Sequence, residues 1–292
     1  MNSHMSSLQS FLLLAPEIVL VATALVVFLG SAFAGLRSGW AVAMAGIVTA
    51  MLVAGGQPAE DTWVASGGIR IDAFSAFIRW TVLSLGAILA LVQAGDLFRS
   101  AVTRGTTGSW DRHVTGTCEE AGTFLILLAG LSLAAVADDL VLLFIGLELV
   151  SIPTYILLAL KRTDAHGQEA SLKYFFLSLV ASSLFLYAAV CLYGIGGSTS
   201  LTVIGARLRS TADPMVGMAT VLLPVAIGMT MAGAAFRLAA APMHFYAPDV
   251  YEGTSPSNAA LLSTLPKVAG IVVLARVLAL AILPAGAEQA AV

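Results

Sequence analysis

The chain has 292 residues, 59% of them hydrophobic and only 11% charged, against roughly 25% charged in a soluble domain. Its net charge of −3, with no basic cluster, excludes a nucleic-acid partner. Several apolar runs exceed the ~18 residues needed to cross about 30 Å of hydrocarbon, so the chain is read as an all-α polytopic membrane protein in a lipid bilayer.

Eight spans are predicted, at about 10–34, 38–55, 73–95, 121–138, 140–160, 170–194, 217–248 (broken near Pro242) and 256–283. The first ends in Ala32-Phe33-Ala34, which mimics a signal-peptidase site. Nothing basic precedes Arg37 and the apolar run exceeds 20 residues, so a retained helix is expected. Asp138-Asp139 alone separates the fourth and fifth spans as a tight acidic turn. Gly194-Ile-Gly-Gly197 lacks the spacing of a nucleotide loop and reads as a turn at a helix end. Cys118, in a predicted loop, and Cys191, inside a helix, give neither a disulfide nor a metal pattern.

Loop charges set an orientation. Alternate loops hold Arg37, then Arg99, Arg104 and Arg112, then Lys161 and Arg162. The opposite loops hold Arg70, then Asp138 and Asp139, then Arg207 and Arg209. Six basic residues against three place the first set in the cytoplasm and the N-terminus outside, with Arg207 and Arg209 running against the bias.

An ionisable side chain at the bilayer centre costs about 2.5–3.5 kcal/mol on insertion scales, so it normally faces the protein interior and has a role there. Glu148 lies mid-way along the fifth span, five residues before Pro153. Burial disfavours its charged form, which suits loading and releasing a proton; a hydrogen-bonded structural carboxylate is the plain alternative. Lys173 follows Glu169 by four residues at the start of the sixth span. It is either functional or an interfacial lysine snorkelling beside Glu169. Ser178, Ser182 and Ser183 further along can hold water or let helices pack closely.

Arg237, read as central in the seventh span, stays protonated and biases its neighbours without relaying a proton. His244 carries the side chain suited to proton exchange near neutral pH, although a packed structural histidine is equally common. Pro242 and Pro248 interrupt this span, and a broken helix beside charges is the usual form of an ion path. Lys267 sits some ten residues into the eighth span, too deep to snorkel, and is a candidate proton carrier. Asp249 and Glu252 are either paired carboxylates or an acidic loop capping a helix. No metal-ligand spacing and no Ser/His/Asp set is readable, so a free-standing enzyme is not expected.

The run Pro242-Met-His-Phe-Tyr-Ala-Pro-Asp-Val-Tyr-Glu-Gly253, followed by Pro266-Lys-Val-Ala-Gly270, resembles the antiporter-like subunit N family of proton-translocating NADH-quinone oxidoreductase (respiratory complex I). Leu143-Phe-Ile-Gly-Leu-Glu-Leu-Val-Ser-Ile-Pro153 and Glu169-Ala-Ser-Leu-Lys-Tyr-Phe-Phe-Leu-Ser178 agree, and Leu14-Ala-Pro-Glu-Ile18 and Ile71-Asp-Ala-Phe-Ser75 match more weakly. The proline–histidine core is shared with multisubunit sodium/proton antiporters; the Asp-Val-Tyr-Glu-Gly run points to subunit N. The resemblance covers essentially the whole chain. It implies a fold of fourteen helices with two inverted five-helix repeats. Residues 1–120 would then hold three N-terminal helices, 121–283 the first repeat with its broken helix near Pro242, and 284–292 a tail. It further implies that Glu148, Lys173, His244 and Lys267 are the buried proton-path residues of the fifth to eighth helices. The subunit would move protons in the cell inner membrane beside other membrane subunits; NADH, FMN, iron–sulfur clusters and quinone would be used in other subunits of the complex, with no cofactor in this chain.

Two departures are visible. The family usually has lysine where this chain has Arg237, which puts the usual gating in doubt. The chain also stops after the eighth span, so the second inverted repeat is expected to be missing and the product to be truncated or split. Three readings stay open: a proton-translocating subunit of the oxidoreductase, a sodium/proton antiporter subunit, and a non-conducting structural subunit.

Overall fold

The computed structural model describes residues 12–36, 38–57, 62–64, 68–103, 110–161, 164–209 and 216–282. Arg37, Arg104 and Arg162 of the orientation argument, and the tail 284–292, lie outside them, as do the side chains of Arg99, Arg112 and Lys161. In chain order the elements are helices α1 (Ala15–Ala34) and α2 (Gly39–Gly55), a hairpin of β1 (Thr62–Val64) and β2 (Ile69–Ile71), then α3 (Ala73–Thr103), α4 (Trp110–Val136), α5 (Leu140–Lys161) and α6 (Ala165–Gly196). A short α7 (Leu201–Arg209) leads to α8 (Val216–Leu238). After it come a 3₁₀ turn (Met243–Tyr246), α9 (Ala247–Gly253) and α10 (Pro256–Ile282).

Among the described residues, seven segments are long and apolar enough to cross a membrane: those in α1, α3, α4, α5, α6 and α10, and the composite Thr220–Gly253. The second predicted span, α2, has 17 residues and is about 25 Å long, short of the full hydrocarbon thickness. Apolar side chains cover the outside as well as the core: Phe33, Leu52, Phe77, Leu91 and Val190 are all exposed. That is the pattern of helices whose outer faces meet lipid.

α4 is the hub. Phe124, Leu125, Leu127, Leu128 and Leu131 are fully buried, with α1, α2, α3 and α5 packed around them. α4 and α5 cross so closely that a Cβ at Gly130 would stand 2.4 Å from the Leu149 Cβ; lacking a hydrophobic drive in lipid, helices associate through such small residues. Cys118 corrects one expectation: it is not in a loop but buried in α4, its thiol donating to the Leu36 carbonyl at 3.3 Å. Glu119 and Glu120 interrupt the hydropathy there, yet a helix needs only its backbone bonds to continue.

The end of the bundle where α1 starts is laced by backbone as well as side chains. β1 and β2 pair antiparallel, with Thr62 opposite Ile71 and Val64 opposite Ile69. Ile69 bridges to Ala137, and Asp139 bridges to Ser200. The acidic turn is structural: Asp139 caps α5, accepting from the Val141 amide at 2.8 Å, while buried Asp138 accepts from the Thr202 hydroxyl at 2.9 Å.

Candidate functional site: a broken helix beside a buried ion pair

α8 ends in a Schellman turn. The Ala240 amide donates to the Ala235 carbonyl at 2.8 Å, and the Ala239 amide to that of Phe236 at 3.0 Å. Ala239 takes the left-handed conformation (φ 52°) that this turn demands of the first residue past the helix, a place usually held by glycine. The helix therefore breaks after Leu238, earlier than the expected position near Pro242. Arg237 is accordingly in the last turn of α8, and it remains central in the composite segment Thr220–Gly253 as expected. Proline removes only its own donor and crowds the preceding turn; the reversal that stops the helix has to be made by the residues before it.

The carbonyls freed at the break find specific donors. Lys267 Nζ donates to the Leu238 carbonyl at 3.0 Å, and the Tyr246 hydroxyl to that of Phe236 at 2.8 Å. A cation is favourable at a helix C-terminus, where the orphan carbonyls carry partial negative charge. Gly270 makes the approach possible, since a Cβ there would stand 3.0 Å from Leu238 Cγ. Lys267 lies eleven residues into α10, about 16 Å from its start, which puts the break near the middle of a ~30 Å hydrocarbon layer.

Beside the break, Glu148 on α5 accepts a short hydrogen bond from the Ser182 hydroxyl on α6. Arg237 Nη2 stands 4.0 Å from the same carboxylate oxygen. Nη1 instead donates to Ser151 Oγ at 2.7 Å and lies 3.5 Å from the Leu147 carbonyl oxygen. Arg237 is buried, whereas the Glu148 side chain keeps 27% of its surface exposed. Tyr174, Phe236 and Tyr246 close one side, with ring centroids 4.6–6.0 Å apart.

Glu148, Arg237 and Lys267 thus gather around the end of α8, and the two other expected residues do not join them. Lys173 is nine residues before Ser182 on α6, roughly 13 Å away along the axis. It pairs with Glu169 at 2.8 Å and Asp249 at 2.7 Å, with 41% of its side chain exposed. α6 has 32 residues, about 48 Å, so its first turns extend beyond the hydrocarbon. The expected pairing with Glu169 is present, and Asp249 joins it. With His166, Glu169, Asp249 and Glu252 it lines an open cavity of about 330 Å³. His244 is exposed on the outside of the 3₁₀ turn. Ser178 is buried on α6, and Ser183 faces outwards.

Sequence reasoning passed over two ion pairs that the structure forms, Arg79–Glu17 and Arg276–Asp72. Arg79 binds Glu17 through Nε and Nη2 at 2.9 and 2.8 Å, the Leu13 carbonyl at 2.9 Å and Gln57 at 2.7 Å. Ser132 also donates to Glu17. Arg276 binds Asp72 at 2.9 Å and the Ala135 carbonyl, at the end of α4, at 2.6 Å. Burial works to raise the Asp72 carboxyl, but Arg276 and the Ser75 hydrogen bonds outweigh it and hold it below the usual carboxylate range. Glu17, Arg79 and Arg276 all lie inside apolar spans, each within about two turns of a span end rather than mid-span like Glu148.

Residues 137–290, half of the chain and the part holding the break, match the family model described as NADH:quinone oxidoreductase/Mrp antiporter, transmembrane. The chain belongs to this family. Subunit N of NADH-quinone oxidoreductase from Anaeromyxobacter sp. is 34% identical over 93% of this chain and 51% of its own length. Subunit N from Erythrobacter litoralis is 32% identical over 92% and 53%. The expected likeness to subunit N is therefore found, and this family member spans about half the length of the curated relatives it matches. A chain of respiratory complex I from Thermus thermophilus superposes with a TM-score of 0.68 at 24% identity, over 89% of this chain and 52% of that one. The fold is antiporter-like.

Proposed function

We propose that this chain serves in a proton-translocating membrane subunit of NADH-quinone oxidoreductase. The observation that carries the proposal is a partly open carboxylate at membrane depth, 4.0 Å from a buried guanidinium, beside a helix broken near the midplane. Irregular backbone at that depth is tolerated only against protein or water, and charges beside it belong to ion paths. On this reading Glu148 takes up and releases the proton, and Arg237 biases it with a fixed charge. Lys267 couples that charge to the end of α8. Lys173, in its acidic cavity, and His244, beyond the break, stand on the cytoplasmic side.

The N-terminus then faces the periplasm and the protein lies in the cell inner membrane, with other membrane subunits as partners. Residues 1–120 supply three N-terminal helices and 121–283 the first five-helix repeat. NADH, FMN, iron–sulfur clusters and quinone belong to other subunits, and this chain holds no cofactor. The complex is the enzyme; this chain contributes translocation.

The test is Glu148→Gln in the assembled oxidoreductase in membrane vesicles. NADH-driven proton pumping is expected to collapse with assembly intact. Unchanged pumping with intact assembly would overturn the reading in favour of a structural subunit. The family also includes Mrp antiporters, so proton exchange driven by a sodium gradient without NADH would favour an antiporter instead.

A further inference from the structure

Within this molecule one arginine–glutamate pair is closed and the other is open. A guanidinium normally takes a carboxylate by two parallel bonds at about 2.7–2.9 Å, as Arg79 takes Glu17. Arg237 comes no nearer to Glu148 than 4.0 Å. Two serines hold the partners apart. Ser182, from α6, occupies the Glu148 oxygen that faces Arg237. Ser151, three residues after Glu148 on the same face of α5, accepts from Arg237 Nη1 at 2.7 Å. Ser151 gives its own proton to the Leu147 carbonyl at 2.9 Å, so its oxygen presents lone pairs to the guanidinium. Both serines are more than nine-tenths buried.

We propose that Ser151 and Ser182 are positioning residues that keep the Glu148–Arg237 pair open, each holding one partner, so that the carboxylate can gain and lose a proton beside a cation that never does. A closed arginine pair stabilises only the ionised carboxylate. A lysine in that place has a way out, because its ammonium can give up a proton; a guanidinium has none. The pair can then be relaxed only by displacement, which needs a second acceptor within reach, and Ser151 is that acceptor. The Ser182 hydroxyl rotates and can donate to a carboxylate or accept from a carboxylic acid, so it serves Glu148 in both states. Tyr155, one turn beyond Ser151 on the same helix, is a further titratable group near Glu148.

The inference rests on the proton-carrying reading of Glu148, and one experiment separates the two. The assembled oxidoreductase in membrane vesicles is prepared with Ser151→Ala, Ser182→Ala, Ser151→Thr and Ser182→Thr. Pumping is measured with the infrared band of protonated carboxyl that Glu148→Gln removes. Each alanine variant is expected to pump about tenfold more slowly, equivalent to about 1.4 kcal/mol and in line with one hydrogen bond to a charged group. At one fixed pH the band is expected to shrink in Ser182→Ala, where Glu148 is released onto Arg237. It is expected to shrink in Ser151→Ala as well, where Arg237 is released onto Glu148. The threonine variants keep the hydroxyl and restore both readouts.

A band that shrinks with assembly intact and returns with threonine is something a merely structural role does not produce. A band that grows or stays unchanged in either alanine variant overturns the proposal. If an alanine variant does not assemble, the matching cysteine variant, similar in size and a weaker donor, is read against the same sign. If Glu148→Gln stops pumping while the serine variants leave the band in place, the serine role alone fails. If Glu148→Gln pumps normally, the proton-carrying reading of Glu148 fails and the serine role with it.

Discussion

Where α1 starts, Arg79 meets Glu17 through both carboxylate oxygens at 2.8 and 2.9 Å, whereas near mid-depth Arg237 stands 4.0 Å from Glu148. The chemical pair is the same, and the surroundings differ. Arg79 spends four of its donors on fixed acceptors, and Glu17 takes a further bond from Ser132. Such a network, buried and fully satisfied, rigidifies the helices it joins, here α1, α3 and α4. Glu148 has one hydroxyl and partial exposure, and its arginine is held by a different residue. A buried ion pair is a clamp when its partners are saturated by each other and a movable element when each has an alternative.

That comparison makes graded predictions. Arg79→Ala leaves the Glu17 charge buried and unpaired, and is expected to cost about 3–5 kcal/mol in denaturant unfolding of the detergent-extracted protein. Glu148→Gln is expected to cost about 1 kcal/mol or less in the same assay, since the amide keeps an acceptor for Ser182. Equal costs would erase the distinction between clamp and movable pair.

Next in size is the Asp72–Arg276 tie. Asp72→Asn is expected to lose about 1–3 kcal/mol, the scale of hydrogen bonds to charged groups. The Asp72 carboxyl is held below its ordinary value of 3.8. Its contribution is therefore whole well above that value, declines as pH falls below it, and is gone once pH passes beneath the folded value. The gap between wild type and Asp72→Asn should narrow along that acid limb, and a gap that stays constant throughout it would show that the tie does not act through charge.

Lys267→Met uncovers the Leu238 carbonyl at the break, for about 1 kcal/mol. A protein that loses stability but pumps normally would assign Lys267 to capping alone. The smallest effect is a gain. Ala239→Gly relieves the left-handed strain at the end of α8, less the backbone entropy glycine loses, for a net of about 0.5–1 kcal/mol. A destabilised Ala239→Gly would mean that the methyl group packs in the turn.

Much of the fold was legible because the bilayer imposes it. Run length and the rule that backbone polar groups must be satisfied inside a helix located the membrane segments, and Pro242 marked the broken one within a few residues. The candidate site was half legible. Glu148, Arg237 and Lys267 were found as charges that lipid does not tolerate. Lys173 was marked by its spacing from Glu169 and His244 by an imidazole beside Pro242; the structure places one in an acidic cavity and the other on an exposed surface. Glu17 and Arg79 were passed over because each is a single charge near the end of an apolar run, and nothing local says that residues 62 positions apart will meet.

The sequence by itself determined that this chain crosses a membrane as helices, that one helix is interrupted, and that its buried charges must face the protein. Those outcomes follow from transfer energies and backbone hydrogen bonding, which act residue by residue. Only the tertiary structure decided which charge meets which, how closely, and with what in between. Whether Arg237 rests on Ser151 or on Glu148 depends on the spacing of α5, α6 and α8, and that spacing is set by close contacts such as Gly233 against the Ala181 carbonyl. Such contacts are fixed to tenths of an ångström by close packing, a property of the assembled bundle that no single segment carries.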